Sequence, residues 1–289
     1  MRLRAKFNLV ILAAFAVGFL IAAIVTNRVF VASAREHVLQ NARIMMTAAN
    51  AIRAYTADNL VPLLPVGHDG KFVAETVPAF AAQKNFKAVQ QSFAGYTYRE
   101  PALNPTNPSD RAQDWEADII GLFRNQPDQQ ELVAERDTPI GPTLNLARPI
   151  TIKEDACLGC HGTPAAAPAL LTQTYGNANG FGWKVNETVG AQILSVPMAI
   201  PLKLAHDAYV SFMIIMAAVF ATVLLIINLL LHYLVVEPIK RVTAMADAVS
   251  LGDESVQPYV KPGKDEISSL SVSFNRMRES LRHAIEMIK

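Results

Sequence analysis

FNLVILAAFAVGFLIAAIVT, residues Phe7 to Thr26, contains neither a charge nor a proline. About 20 predominantly apolar residues cross a bilayer as a helix, and lipid leaves the backbone no other partner than its own turns. The stretch therefore predicts a transmembrane helix, with Arg2, Arg4 and Lys6 before it and Arg28 after it. A second block, Ala208 to Val236, interrupts its apolar run only with Ser211, Thr222, Asn228, His232 and the tyrosines 209 and 233. Lys240 and Arg241 follow it. Lysine and arginine collect on the cytoplasmic side, so both chain ends are expected in the cytoplasm. Residues from about 27 to 208 then lie outside, which in a bacterium is the periplasm. A cleaved signal peptide is the competing reading, since Ala32-Ser33-Ala34 has the form of a cleavage site. The apolar stretch is long for such a segment and the site lies well past its end, so a retained span is expected. Asn228 is either a tolerated polar residue near the cytoplasmic boundary or a hydrogen-bonding contact between helices of a dimer.

Composition fits this division. The 289 residues are 51% hydrophobic and 18% charged, against roughly 25% charged in soluble domains. Mean hydropathy is only +0.22, so the apolar excess is local. Twenty-six basic and 25 acidic residues leave a net charge of +1, which excludes the basic stripe of a nucleic-acid binder. Two cysteines exclude a disulfide-stapled scaffold. The chain shows no phosphate-binding glycine loop, nucleophile elbow or metalloprotease helix, and Asp114, Glu116 and Asp118 read as a solvated helix face. Enzymatic chemistry is not expected.

Between the spans the pattern is that of an α+β domain. Ala32 to Asn59 lacks glycine and proline and continues the first helix, with Ile44, Ala48, Ile52 and Tyr55 at helical spacing. Pro62 and Pro65 break it. A second helix is predicted over Val77–Phe93. After the turn cluster Asn104 to Pro108, Ser109 or Asp110 is expected to cap a third helix running through Trp115 to about Phe123. Leu144–Ile152 and Val189–Val196 read as strands, and the Gly- and Asn-rich stretch Tyr175–Trp183 as a loop.

The chemistry lies in Cys157-Leu158-Gly159-Cys160-His161. C-x-x-C-H is the attachment motif of a c-type haem. Two thiols three residues apart can each add to one vinyl group, and the next histidine is held over the iron as proximal ligand. A zinc site would need about four ligands, a thioredoxin-like motif a βαβ setting, and a plain disulfide is the third alternative. One covalent haem c would consume both cysteines and leave neither free thiol nor disulfide. For the iron's distal side, Met45 and Met46 rank ahead of Met198, His37, His68 and His206, because their helix leads straight to the membrane. Arg148 is the expected partner of a haem propionate, since arginine binds carboxylates through two donors. Its competing partners are Glu154 and Asp155. Trp183, Phe181, Tyr175, Tyr96 and Tyr98 are expected either to wall a pocket or to fill the core.

Beyond the second span, Glu237-Pro238 opens a helix with Ile239, Val242, Ala246 and Val249 on one stripe, ended by Gly252-Asp253. After a linker, Asp265-Glu266 opens another, with Ile267, Leu270, Phe274, Met277, Leu281, Ala284 and Ile288 spaced alternately by three and four. That is an a/d seam. Two short seamed helices need a partner, most simply a second copy in a parallel four-helix bundle.

Residues 237 to about 285 resemble a HAMP signalling domain, on Pro238, Gly252-Asp253 and Asp265-Glu266-Ile267, with Ser268 a mild departure. The outer half resembles the periplasmic c-type-haem sensor family, on YTYREPALNPTNPSDRAQDWEADII (Tyr96–Ile120), CLGCH and YGNANGFGWKVNETVGAQILSVPM (Tyr175–Met198). The resemblance implies a PAS-like fold around one haem c bound at Cys157, Cys160 and His161. The expected organisation is 1–26, N-terminus and first span; 27–207, periplasmic haem domain; 208–236, second span; 237–289, HAMP coiled coil. The expected function is that of an inner-membrane haem receptor, a homodimer through HAMP. It would pass a redox or ligand signal to a separate signalling protein, since no output domain precedes Lys289. The alternative is a membrane-anchored cytochrome serving electron transfer, or an accessory subunit of a respiratory or photosynthetic complex.

Overall fold

The computed structural model describes residues 3–64, 66–253 and 255–288. Arg2 and Pro65, and the side chain of Ile288, lie outside them. Residues divide into two units, one from Arg28 to Ala208 and one joining the chain up to Asn27 with the chain from Tyr209 on.

In the first unit a four-stranded antiparallel sheet has the order β3 (Thr97–Arg99), β6 (Thr188–Pro197), β5 (Gly141–Thr151), β4 (Leu132–Thr138). The two central strands are those whose apolar runs predicted them. Alternation sends Leu144, Leu146 and Arg148 of β5 to the same face as their Cα partners Val196, Leu194 and Gln192 on β6. Helix α1 (Leu3–Tyr55) supplies Val38, Ala42, Met46 and Ala49 to the core on this face. Helix α2 (Pro78–Ser92) adds Ala82 and Phe86, whose ring lies 4.8 Å from that of Tyr98. The other face meets helix α3 (Asp114–Asn125), with Ile119, Ile120 and Phe123 packed on Ala147, Ala191 and Ile193. A two-strand hairpin, β1 (Gly67–His68) with β2 (Lys71–Phe72), stands apart. Two one-sided helical layers on a twice-covered sheet give the mixed α+β class that the strand and helix patterns predicted.

One detail was left open by the helical spacing, and two differ from expectation. The buried stripe of α1 is Val38, Ala42, Met46, Ala49, while Ile44 and Tyr55 are exposed. Both stripes have helical spacing, and only the sheet selects one. Helix α3 begins at Asp114 rather than at Ser109 or Asp110, which form a separate tight turn. Its Glu116 is fully buried, takes a 2.8 Å bond from the Gln113 backbone N–H and pairs with Arg99 at 3.0 Å. The solvated acidic face therefore loses its middle member to a helix cap.

The second unit holds the two apolar stretches as helices long and apolar enough to cross a membrane. The second lies in α6 (Ala199–Leu230), which runs through a wider turn at 231–236 into α7 (Glu237–Ser250). Phe15 stacks on Phe220 at 4.8 Å, and the Arg4 side chain donates to Asn228 at 3.4 Å. As one number rises the other falls, so the spans run antiparallel. Asn228 also donates to the Leu224 carbonyl, which satisfies it within one chain. Leu9, Val10, Leu20, Ile214, Ile215 and Leu225 remain exposed, an apolar surface that water does not tolerate at this extent. Helix α7 ends on Gly252 at φ +83°, whose N–H bonds Val249 while Asp253 bonds Ala248, a left-handed cap. The linker then lies along α8 (Glu266–Ile288), with Asn275 and Arg278 donating to the carbonyls of Tyr259 and Val256. In α8 the buried positions are Ser268 and Ser271, whereas Leu270, Met277 and Leu281 of the seam are exposed.

Candidate functional site

The C-x-x-C-H segment follows β5 as one tight turn, Asp155–Cys157, and one helical turn, α4 (Leu158–His161). Helical winding places residues three and four apart on one face, so Cys157, Cys160 and His161 face together. Both thiols are free, Cys157 exposed and Cys160 half-buried. Burial and the neighbouring Cys157 push the Cys160 thiol above its ordinary value.

The Gly/Asn-rich loop after helix α5 (Ala169–Tyr175) holds His161. The N–H groups of Gly182 and Trp183 bond the carbonyls of Gly162 and His161. The indole of Trp183 stacks on the imidazole at 3.9 Å and 11°. The Gly180 carbonyl lies 2.8 Å from His161 Nδ1. A carbonyl only accepts, so Nδ1 carries the proton and Nε2 keeps its lone pair. Gly180 has no substitute here. Its φ is +82°, and a Cβ would stand 2.0 Å from Thr106 Oγ1. Burial lowers the His161 pKa, although the Gly180 bond works the other way. A neutral imidazole with Nδ1–H committed to a carbonyl is the form that ligates a metal through Nε2. The donor set thus fits a haem c.

Along α1 the interface with the sheet changes from apolar to polar. Past Met46 and Ala49, a cleft of about 580 Å³ is lined by Asn50, Arg53, Glu131, Arg148, Lys153 and Gln192, among others. Burial acts to lower the Arg53 guanidinium pKa, but the Glu100 carboxylate outweighs it and holds the group above its ordinary value. Arg53 pairs with Glu100, a carboxylate almost wholly buried that also accepts from Tyr98 Oη at 2.7 Å. Gln192 donates to Tyr98 Oη at 2.9 Å and to Asn50 Oδ1 at 2.7 Å. This network ties α1 to β3 and β6 at the floor of the cleft. Burial, then Glu100, pushes the Tyr98 hydroxyl far above its ordinary pKa, so it stays a donor. On the opposite wall Glu131 accepts from Arg43 at 2.8 Å and from Arg148 at 2.9 Å. Desolvation of Glu131 acts to raise its pKa, but the two guanidiniums outweigh it and hold the carboxyl below the usual carboxylate range.

The expected residues are thus only partly assembled. Cys157, Cys160 and His161 share one turn, and Arg148 lines the cleft, paired with Glu131 rather than with Glu154 or Asp155. Met46 is fully enclosed in the core, and Met45 packs half-buried against the same cluster. Met198 is core as well, and His37, His68 and His206 do not line the cleft. Of the expected aromatic wall, Trp183 meets His161, whereas Tyr98 belongs to the buried network and Tyr175 meets Phe72. Arg53, Glu100, Gln192 and Glu131 were not predicted. Single polar residues spread across 140 positions carry no spacing signal. The zinc reading lacks further ligands, since no cluster of three or more His, Cys, Asp or Glu able to hold a metal occurs among the described residues. The thioredoxin-like reading fails because the flanking strands β5 and β6 are antiparallel.

The sequence profile of the Tll0287-like family matches residues 31–197, and that of the HAMP domain residues 230–283. Among solved structures, the crystal structure of the cyanobacterial haem protein Tll0287 is similar at 18% identity, with a TM-score of 0.43 over 55% of this chain and 94% of that one. No curated protein matches.

Proposed function

The chain belongs to the Tll0287-like family, and we propose that it is a membrane receptor in which one covalently held haem c governs a HAMP domain. Family membership together with the HAMP match supports a haem-linked signalling protein. The observation that carries the finer reading is the bond from His161 Nδ1 to the Gly180 carbonyl, within a turn that presents Cys157 and Cys160 on the same face. Cys157 and Cys160 anchor the porphyrin, His161 ligates the iron through Nε2, and Trp183 keeps the imidazole in plane. Arg148, at the cleft, receives a propionate. When bound, the haem supplies an iron whose charge and coordination answer to redox state or to a small ligand. The chain acts as a receptor and not as an enzyme. Both ends lie in the cytoplasm and the haem domain in the periplasm of the inner membrane, a reading supported by the antiparallel spans, which put both ends on one side, and by Arg4, Lys6, Lys240 and Arg241 beside their ends. The exposed seam of α8 supports a homodimer, with a separate signalling protein downstream.

The test is a pyridine haemochrome assay with optical and EPR spectra of the purified chain, with and without reductant, CO and NO. Haem that resists denaturing extraction in the wild type, and is lost in C157A/C160A, is expected. A blank haemochrome overturns the reading. A haem indifferent to gases, with identical HAMP crosslinking in both redox states, would instead favour the electron-transfer role.

A further inference from the structure

Two arginines line the cleft, and their partners differ in one respect. Arg53 is committed to Glu100, whose side chain is only 2% exposed. Removing that guanidinium would strand a buried charge, the most costly way to break an ion pair. Arg148 is committed to Glu131, whose side chain is 25% exposed and which Arg43 also holds. Each arginine takes its own carboxylate oxygen: Arg43 Nε and Nη2 bond Oε1, Arg148 Nε and Nη2 bond Oε2. Glu131 can therefore release Arg148 without losing its counter-charge. Among the cations lining the cleft, Arg148 is the one whose fork can change partner at little cost, and Lys153 adds a further positive charge to the lining.

We propose that Arg148 is an exchangeable carboxylate-binding position in this cleft, and that Glu131 is its built-in competitor. A carboxylate entering the cleft takes the two donors of Arg148, and Glu131 falls back on Arg43 of α1. Arg43 sets the ease of exchange: without it, Glu131 has Arg148 alone and holds it longer. The carboxylate is either a haem propionate or a free small carboxylate. Only the first source rests on the haem reading above.

The experiment uses the full-length purified chain with its haem, comparing wild type, E131Q, R148Q and R43Q after a thermal melt of each. Succinate titrated by calorimetry reads the free source, and the propionate bending mode in resonance Raman reads the haem source. For a free carboxylate, E131Q binds succinate about fivefold tighter, the factor a part-exposed charge pair is worth. R148Q then loses binding and R43Q weakens it. For a propionate, succinate does not bind, R148Q shifts the bending mode, and E131Q and R43Q move it in opposite directions. Succinate affinity and bending mode both unchanged across folded E131Q and R148Q would overturn the proposal. A chain that carries no haem fails the haem reading alone, and the succinate arm still decides this one.

Discussion

Gly180 concentrates the demands of the site on one position. It needs a positive φ, passes Thr106 too closely for a Cβ, and lends its carbonyl to His161. We predict that G180A costs about 1–3 kcal/mol, the range for strained backbone at a left-handed position, and perturbs the axial-ligand spectrum. Melting temperature and the EPR g-values check this together. His161 carries a pH dependence of definite sign. Its folded pKa lies below the unfolded value because burial disfavours the imidazolium. The unfolded chain therefore takes up the proton first as pH falls. Stability of the full-length chain prepared without haem is unaffected above the unfolded value of about 6.5. It declines as pH drops through that value toward the folded pKa, and H161Q should abolish the decline in urea titrations at pH 5 and pH 8. The motif itself was legible because its five residues are contiguous. Arg53, Glu100 and Glu131 were not, because a polar side chain reveals its partner only when the chain has brought it there.

Helix α1 shows how far periodicity reaches at the scale of an element. Its existence, its continuity from the first span and its length followed from the absence of glycine and proline. Its buried face did not, because Ile44, Ala48, Ile52, Tyr55 and Val38, Ala42, Met46, Ala49 satisfy the same spacing rule. The sheet takes the second set and leaves Ile44 61% exposed. We predict that M46A costs about 2–5 kcal/mol, as buried methionine-to-alanine changes do. The change I44S should stay within about 0.5 kcal/mol, with both read from denaturant midpoints. Strand β4 escaped notice for a related reason. LVAERDT is an edge strand with charged, outward side chains, so it lacks the apolar run that betrays a central strand. In α3, Glu116 was misjudged because an acidic residue in a first helical turn looks the same whether it caps from a buried position or faces water.

The whole molecule is organised around surfaces that one chain cannot cover. Leu270, Met277 and Leu281 stay exposed on α8 and Ile267, Phe274 and Ala284 are half-buried, while Ser271 and Ser268 bond the linker at Lys261 and Pro262, so part of the seam stays open to a partner. We predict that M277C in the full-length membrane protein crosslinks between two copies under mild oxidation, and that S269C, off the seam, does not. Non-reducing gels of a C157A/C160A background would read this without interference. Equal crosslinking at both positions would reject a dimer through this seam. The amino-acid sequence by itself determined the two spans, the α+β class of the domain between them, the haem-type motif and the heptad register, because each is written in contiguous residues or a fixed period. Tertiary structure alone decided which stripe of α1 meets the sheet, that Met46 is core, and that Arg148 pairs with Glu131 in the lining of a cleft. Those depend on burial and on pairings between distant segments, and their energies exist only once the sheet has closed on its helices.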